Sequence, residues 1–139
     1  MLDLKMKPVR FHSWNISPNE AIAIQNNLRE KIVFSSISND IQHIGGTAVA
    51  FDAGKNIIHA ALTILKYPSL EVVEQNGVTQ EITFDYISGL LTFREGAPLM
   101  SLFRKTSQDI DLIVFHSHGH SHPRKFGLAS HLGVLLDVP

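Results

Sequence analysis

The stretch from residue 43 to residue 84 places the strongest constraint on the fold, because it holds several apolar or β-branched runs separated by turn-forming residues. Asp52 and Gly54 lie in the first turn, and Pro68 interrupts the next run. This pattern predicts a hairpin within a group of three or more antiparallel strands. The Asn76-Gly77 pair predicts a further tight turn. The predicted strand segments are His43 to Phe51, Ile57 to Tyr67, Leu70 to Glu74 and Val78 to Phe84.

A helix is predicted before these strands. Ser17 followed by Pro18 is typical of a helix N-cap with proline in the first turn, and Glu20 completes a capping box. An apolar stripe at helical spacing predicts the face that packs inward, and the polar positions are expected to face away from the core. The stripe consists of Ala21, Ile24, Leu28 and Ile32, and the polar positions are Gln25, Asn26, Arg29 and Glu30.

The second half of the chain alternates between helical and strand patterns. Residues 89–105 have apolar side chains at spacings of three and four, which predicts a helix. Leu112 to Phe115 form a continuous apolar run, which predicts a strand covered on both faces, and helical spacing returns from Lys125. This order predicts an α/β fold with a mixed sheet flanked by helices. We expect a single domain over residues 17–139, after a loosely held N-terminal arm of residues 1–16.

Composition narrows the classes of function. The net charge of −1 provides no global positive field, so any contact with nucleic acid must be local. The absence of cysteine excludes disulfides, thiolate metal sites and a thiol nucleophile. The first residues lack the apolar core of a signal peptide, and no later run approaches the length of a membrane span. We therefore expect a cytoplasmic protein without membrane contact.

Four histidines at alternate positions follow the predicted strand at Leu112 to Phe115. Open α/β sheets place ligand sites beyond the carboxyl ends of strands, so this loop is a candidate site. If the loop stays extended, the imidazoles could bind a transition metal such as zinc or nickel. The alternative is that one or two of them cap backbone groups while the others are solvated. The histidines are His116, His118, His120 and His122.

Two further residues have both a structural and a functional interpretation. Glu95 beside Arg94 is either part of a surface ion pair or a hard oxygen ligand of the kind that Mg²⁺ prefers. Tyr86 precedes Ile87-Ser88-Gly89 at a predicted turn, where an aromatic ring can wedge into a base stack or simply pack. Residue types alone leave both choices open.

Together these segments resemble the endonuclease V family in order and spacing. The resemblance covers residues 21–139, and its motifs are IGGTAVAF, ALTILKYPSLEVVE, DYISGLLTFREGAP and VFHSHGHSHPRKFGLASHLGVLLDVP. It implies a ribonuclease H-like fold, dependence on Mg²⁺ or Mn²⁺, and hydrolysis of the second phosphodiester on the 3′ side of inosine in DNA or RNA. In such sites, metal ions held by carboxylates activate water and stabilise the leaving oxygen.

The resemblance also assigns the candidate site residues. Glu95 matches a metal-binding glutamate of the family, whereas the two metal-binding aspartates fall at Ala48 and His116. The resemblance implies Glu95 and His116 as metal ligands, Ala48 as a degenerate ligand position, and Glu95, His116 and His122 as the catalytic set. The implied substrate-binding residues are Tyr86, Gly89, His118 and Arg124.

Several departures from the family pattern bear on activity. Asp85 and Ser88 replace the two prolines around Tyr86, which raises the cost of ordering that loop. Ser117 replaces a glycine and is expected to crowd the base pocket. The chain ends at Pro139, where the family continues through a further strand and a lysine near the scissile phosphate. We expect an incomplete fold with an exposed sheet edge, which implies weak stability or self-association.

Four interpretations follow from these departures. In the first, the chain is an active inosine-directed nuclease that uses a transition metal. In the second, it is a non-catalytic protein that binds nucleic acid through Tyr86, Arg94, Arg124 and Lys125. In the third, it is a degenerate remnant, and in the fourth, it is a histidine-rich metal-binding protein. The loss of two carboxylates favours weak or absent cleavage, because a two-metal site needs anionic oxygen donors.

Overall fold

A computed structural model describes residues 8–139 of the chain. Three α-helices and four β-strands make up this part, with a short 3-10 helix, Arg29–Lys31, after the first α-helix. The α-helices are α1 (Pro18–Leu28), α2 (Leu91–Lys105) and α3 (Leu128–Leu136). The strands are β1 (His43–Asp52), β2 (Ile57–Lys66), β3 (Val72–Glu81) and β4 (Leu112–Val114).

The strands form a mixed sheet in the order β3-β2-β1-β4. The pairs β1–β2 and β2–β3 are antiparallel, whereas β1 and β4 are parallel. The predicted hairpin and the mixed sheet are therefore confirmed. Helices α2 and α3 cover one face of the sheet and bury a core with β2 and β4, which includes Leu62, Ile64, Phe103, Ile113 and Leu132.

Two strand predictions were wrong in detail. Asn76 and Gly77 lie inside β3, opposite Leu62 and Ala61 of β2, and make no turn. Pairing with the neighbouring strand outweighs the local turn preference of this dipeptide, because strand formation depends strongly on tertiary context. The expectation that Leu112 to Phe115 is covered on both faces also fails, since 57% of Val114 is exposed.

Helix α1 begins as its sequence predicts. The Ser17 hydroxyl accepts from the backbone N–H of Glu20, and the Glu20 carboxylate accepts from the backbone N–H of Ser17. The helix ends earlier than the apolar stripe suggests, because Ile32 is already extended. Gln25, which we expected to face away from the core, is fully buried.

The first part of the chain packs more tightly than we predicted. Residues 1–7 of the predicted arm lie outside the described residues, whereas residues 8–16 contact α2 and α3. The backbone N–H groups of Val9 and Arg10 donate to the Leu135 carbonyl, at 2.8 and 3.3 Å. The Trp14 indole lies against Gly96 of α2, where a methyl group would overlap the ring. Residues 8–16 are therefore fixed to the helical face.

Candidate functional site

Two loops meet beside the N-terminus of α2 and border the larger of two candidate cavities. The wedge loop, residues 85–89, directly precedes α2, and the histidine loop, residues 116–125, follows β4. Between them lies a cavity of about 330 Å³. Its walls include Tyr86, Ser88, Gly89, Ser117, His118 and His122. The fold thus brings together four residues predicted from separate segments to contact substrate or act in catalysis.

The start of α3 anchors the histidine loop. The Ala129 N–H donates to the His118 carbonyl at 3.0 Å, and the Gly127 N–H donates to the Gly119 carbonyl at 2.8 Å. The Ala129 N–H belongs to the first turn of α3, where backbone donors have no partner within the helix, and Gly127 is the N-cap residue. Gly127 is buried, and a methyl group there would overlap the His118 carbonyl. The position of His118 therefore depends on glycine at 127.

Both ring nitrogens of His122 have partners inside the protein. Nε2 lies 2.8 Å from the Gly89 carbonyl oxygen, which can only accept, so Nε2 carries the proton. Nδ1 then accepts from the backbone N–H groups of Arg124 and Phe126, at 3.1 and 3.4 Å. Burial lowers the pKa of His122, partly offset by the bond to Gly89, and neighbouring Arg124 and His118 lower it further. His122 therefore joins the two loops as a neutral ring, while its catalytic role remains a prediction.

Arg124 also makes its contacts inside the protein. Its Nη2 donates to the Gly89 carbonyl at 2.9 Å, and its Nε donates to Oε1 of Gln25 at 2.5 Å. The Arg124 carbonyl accepts from Nη1 of Arg29 at 3.2 Å. Sequence reasoning placed Arg124 on the substrate and missed Gln25. The sequence did hold one signal: Gln25 follows Ala21 of the predicted apolar stripe by four residues, which places both side chains on the same face of the helix.

The second cavity, of about 80 Å³, brings together the three positions assigned to metal binding. Ala48 of β1, Glu95 of α2 and His116 of the histidine loop all line it. Burial raises the pKa of the Glu95 carboxyl, while nearby Arg94 and His116 oppose the rise. The Arg94 guanidinium itself lies over the Phe51 ring, 4.9 Å from its centroid.

The side chains around this smaller cavity do not fit Mg²⁺. Glu95 offers one carboxylate and His116 an imidazole, whereas Ala48 offers no donor atom. Across residues 8–139, no three histidine, aspartate or glutamate side chains come close enough to share a metal ion. Mg²⁺ requires near-octahedral oxygen coordination, and protein sites for it are built around carboxylates. The set present here is too poor in oxygen to hold the ion firmly.

The histidine run does not converge on a common point. The loop bends repeatedly and does not stay extended. His118 borders the larger cavity and His116 the smaller one, while the His120 ring makes an edge contact with Phe34 at a centroid distance of 5.6 Å. The extended geometry on which the zinc or nickel prediction depended is therefore not adopted.

Tyr86 is exposed beside the larger cavity. In all, 67% of its surface is accessible, although the neighbouring Leu90 at the start of α2 is buried. An exposed aromatic ring beside a cavity can stack on a base, which is the geometry that the wedge prediction requires.

Comparison with known proteins connects this arrangement to one family. The family model for Endonuclease V matches residues 26–139. The endonuclease V of Gloeobacter violaceus is 41% identical over 130 residues, which cover 92% of this chain and 53% of that protein. The endonuclease V of Nostoc punctiforme is 36% identical over 135 residues, which cover 96% of this chain and 61% of that protein.

Solved structures give the same result. The endonuclease V of Streptomyces avermitilis superposes with a TM-score of 0.85 at 34% identity, over 96% of this chain and 60% of that one. Endonuclease V of Ciona intestinalis, in complex with a 24mer DNA containing an inosine followed by a ribo-adenosine, gives a TM-score of 0.78 at 26% identity, over 86% and 54% of the two chains. These matches confirm the predicted α/β, ribonuclease H-like fold. The chain spans about half to three fifths of the length of these relatives.

Proposed function

Since this chain belongs to the endonuclease V family, we propose that it binds inosine-containing nucleic acid in the cavity between the wedge loop and the histidine loop. The observation that carries this proposal is the cavity of about 330 Å³ with exposed Tyr86 beside it. A flipped base can enter such a cavity while an aromatic side chain fills the gap in the stack. The related Ciona intestinalis structure with inosine-containing DNA supports the choice of base.

We further propose that the chain does not cleave this nucleic acid with Mg²⁺. Hydrolysis by metal ions requires carboxylates that hold the ions beside the attacking water and the leaving oxygen. Ala48 contributes a methyl group and His116 an imidazole, so Glu95 supplies the only carboxylate that lines this cavity. A transition metal bound by Glu95 and His116 remains a prediction, since imidazole suits such ions better than it suits Mg²⁺.

Binding and cleavage are tested with a pair of end-labelled single-stranded oligonucleotides that differ only in one inosine or adenosine. Each is titrated with the protein in Mg²⁺, and the strand length is then read on a denaturing gel. We expect tighter binding of the inosine strand, and full-length strand at the end. Equal affinity for the two strands would contradict the binding proposal. Cleavage in Mg²⁺ that disappears in Glu95→Ala would contradict the second proposal.

The metal site is tested separately by restoring its carboxylates. We expect calorimetry to detect no Mg²⁺ binding by the unmodified chain and to detect binding by the Ala48→Asp, His116→Asp double variant. Both substitutions line the same cavity as Glu95, so the variant presents three carboxylates together. Asp111→Asn, which changes an acidic residue that hydrogen-bonds the start of β1, serves as the control. Tight Mg²⁺ binding by the unmodified chain would overturn the assignment.

Self-association through a sheet edge remains a prediction. Beside β4 lies a groove of about 490 Å³ whose lining includes Ile113, Phe115, Val134 and Val138. The Ile113 N–H on this side donates to the Pro139 carbonyl at 2.8 Å. Sedimentation velocity over a range of concentrations tests the prediction, and a constant monomer would contradict it.

No α-helix among residues 8–139 has the length and apolar character of a membrane span, and the cytoplasmic location remains a prediction from the sequence.

A further inference from the structure

The carbonyl oxygen of Gly89 is the point at which three separate segments meet. It accepts from Nε2 of Gln25 in α1 at 2.9 Å, from Nε2 of His122 at 2.8 Å, and from Nη2 of Arg124 at 2.9 Å. A carbonyl oxygen has two lone pairs, so with three donors at least two share a lone pair and no accepting capacity is left. The end of the wedge loop is thereby tied both to the histidine loop and to α1.

Gln25 completes this arrangement, because its amide bonds in two directions. Its Nε2 donates to Gly89, while its Oε1 accepts from Nε of Arg124 at 2.5 Å. An arginine side chain can only donate and a carbonyl can only accept, so the orientation of the amide is fixed by its partners. Gln25 is fully buried, which removes competing water from both bonds.

The contact with Arg124 requires glycine at position 89. Gly89 has a φ of +83°, a conformation that favours glycine, and a side chain there would come within 2.8 Å of Nη2 of Arg124. Three residues earlier, Tyr86 is exposed beside the cavity, and two residues later α2 begins. The position of this carbonyl therefore sets where the wedge loop stands against the histidine loop.

We propose that Gln25 is a positioning residue for the inosine cavity: its amide holds Arg124 and the Gly89 carbonyl together and thereby fixes the separation of the two loops. Gln25 does not line the cavity, so it acts only through Gly89 and Arg124. The inference rests on the proposed function for the identity of the ligand, but the hold on the wedge loop is a property of the protein alone.

The hold on the loop is tested without nucleic acid by hydrogen exchange of the full chain. Gln25→Met keeps the length of the side chain and removes both bonds. We expect exchange of the amides of residues 85–90 to accelerate at least about tenfold, since two buried hydrogen bonds are lost. The β1 and β2 amides should keep their rates. Asn26→Met, on the exposed side of the same helix, is the matched control and should leave the wedge loop unchanged.

A double-mutant cycle shows whether Gln25 acts through Arg124. If it does, Gln25→Met combined with Arg124→Met should accelerate loop exchange no more than the stronger single variant, because partners in one network are not additive. Independent, multiplying effects would overturn the inference. So would unchanged loop exchange in Gln25→Met, or an equal acceleration throughout the sheet, which would indicate a merely structural role.

Oligonucleotide binding then separates this inference from the proposed function. We expect Gln25→Met to lower the ratio of inosine to adenosine affinity by about tenfold, which corresponds to roughly 1.4 kcal/mol of binding free energy. Asn26→Met should keep the ratio of the unmodified chain. Failure of the unmodified chain to discriminate would contradict the proposed function, and loop exchange would still decide the role of Gln25. Full discrimination retained by Gln25→Met would overturn the inference while leaving the proposed function intact.

Discussion

The Nε2 atoms of His12 and His131 lie 2.7 Å apart, and this contact joins the N-terminal residues to α3. Burial lowers the pKa of both rings, which favours their neutral forms, and a neutral His12 that donates from Nδ1 to the Ser13 carbonyl, at 3.0 Å, accepts at Nε2. His131 must then donate through Nε2, which leaves its buried Nδ1 as an acceptor without a hydrogen-bond partner. The two neutral rings lie inside a cluster with Trp14, Phe93 and Phe126.

The first prediction is that acid destabilises the protein through this pair. Burial lowers the pKa of His131 to about 3, helped by His12 and His122, and burial also lowers the pKa of His12. Because these pKa values lie below those of the unfolded chain, the unfolded state binds more protons as the pH falls through 6.5. His131 alone should lower the free energy of unfolding by about 2 kcal/mol between pH 7.5 and pH 5.

Urea unfolding across this pH range measures the effect. The His131→Phe variant keeps an aromatic ring in the cluster and should lose most of the pH dependence. His59→Gln, at an exposed position of β2, should retain it and serves as the control. The same pH dependence in His131→Phe and in the unmodified chain would exclude His131 as its source.

The second prediction concerns Gly96. Alanine normally stabilises a helix by about 1 kcal/mol relative to glycine, but a methyl group at position 96 would overlap the Trp14 indole. We expect Gly96→Ala to lower the free energy of unfolding by about 1–3 kcal/mol through overpacking. In a Trp14→Ala background the same change should become neutral or stabilising. Equal effects in both backgrounds would show that the indole does not limit the site.

The third prediction concerns Gly127. A methyl group there would overlap the His118 carbonyl, so Gly127→Ala should displace the histidine loop and weaken binding of the inosine oligonucleotide. Gly54→Ala, in the exposed β1–β2 turn, is the control and should bind as the unmodified chain does. Fluorescence anisotropy at constant salt measures both. Unchanged affinity in Gly127→Ala would place the binding surface away from this loop.

The fourth prediction concerns Tyr86. Stacking of an aromatic ring on a base contributes about 1–3 kcal/mol to single-strand binding, so Tyr86→Ala should weaken binding of the inosine strand by that amount. The fold should be unaffected, because 67% of the side chain is exposed. Tyr67→Ala changes the other tyrosine, which is also exposed, and should have no effect on binding. Equal losses in the two variants would exclude a specific role for Tyr86.

Local signals in the sequence predicted much of the fold. The capping box of α1 and the β1–β2 turn involve residues close together in the chain, so their residue types suffice. Long-range contacts decided the rest. Asn76 and Gly77 lie in a strand because they pair with β2. The burial of Gln25 could not be predicted, because its partner Arg124 lies 99 positions away in the sequence. Residues 8–16 pack through long-range contacts such as that between His12 and His131, which are 119 positions apart.

The sequence likewise predicted some features of the candidate site and not others. Periodicity alone placed the histidines after a strand, but it did not indicate which of them would line a cavity. Family resemblance supplied the grouping of Ala48, Glu95 and His116, which the fold brings to one cavity from three distant segments. The hydrogen bonds of Gly89 could not be predicted, because every residue has a backbone carbonyl and the residue type does not indicate which carbonyl will accept side-chain donors.

Amide NMR spectra during titration with the inosine oligonucleotide test the central claim most directly. Binding in the proposed cavity should shift the amides of the wedge loop and of His118, Gly119 and Gly127, while β3 remains unchanged. The matched adenosine strand should cause smaller shifts at the same amides. Shifts confined to other surfaces, or identical shifts with both strands, would contradict the assignment of this cavity as the inosine site.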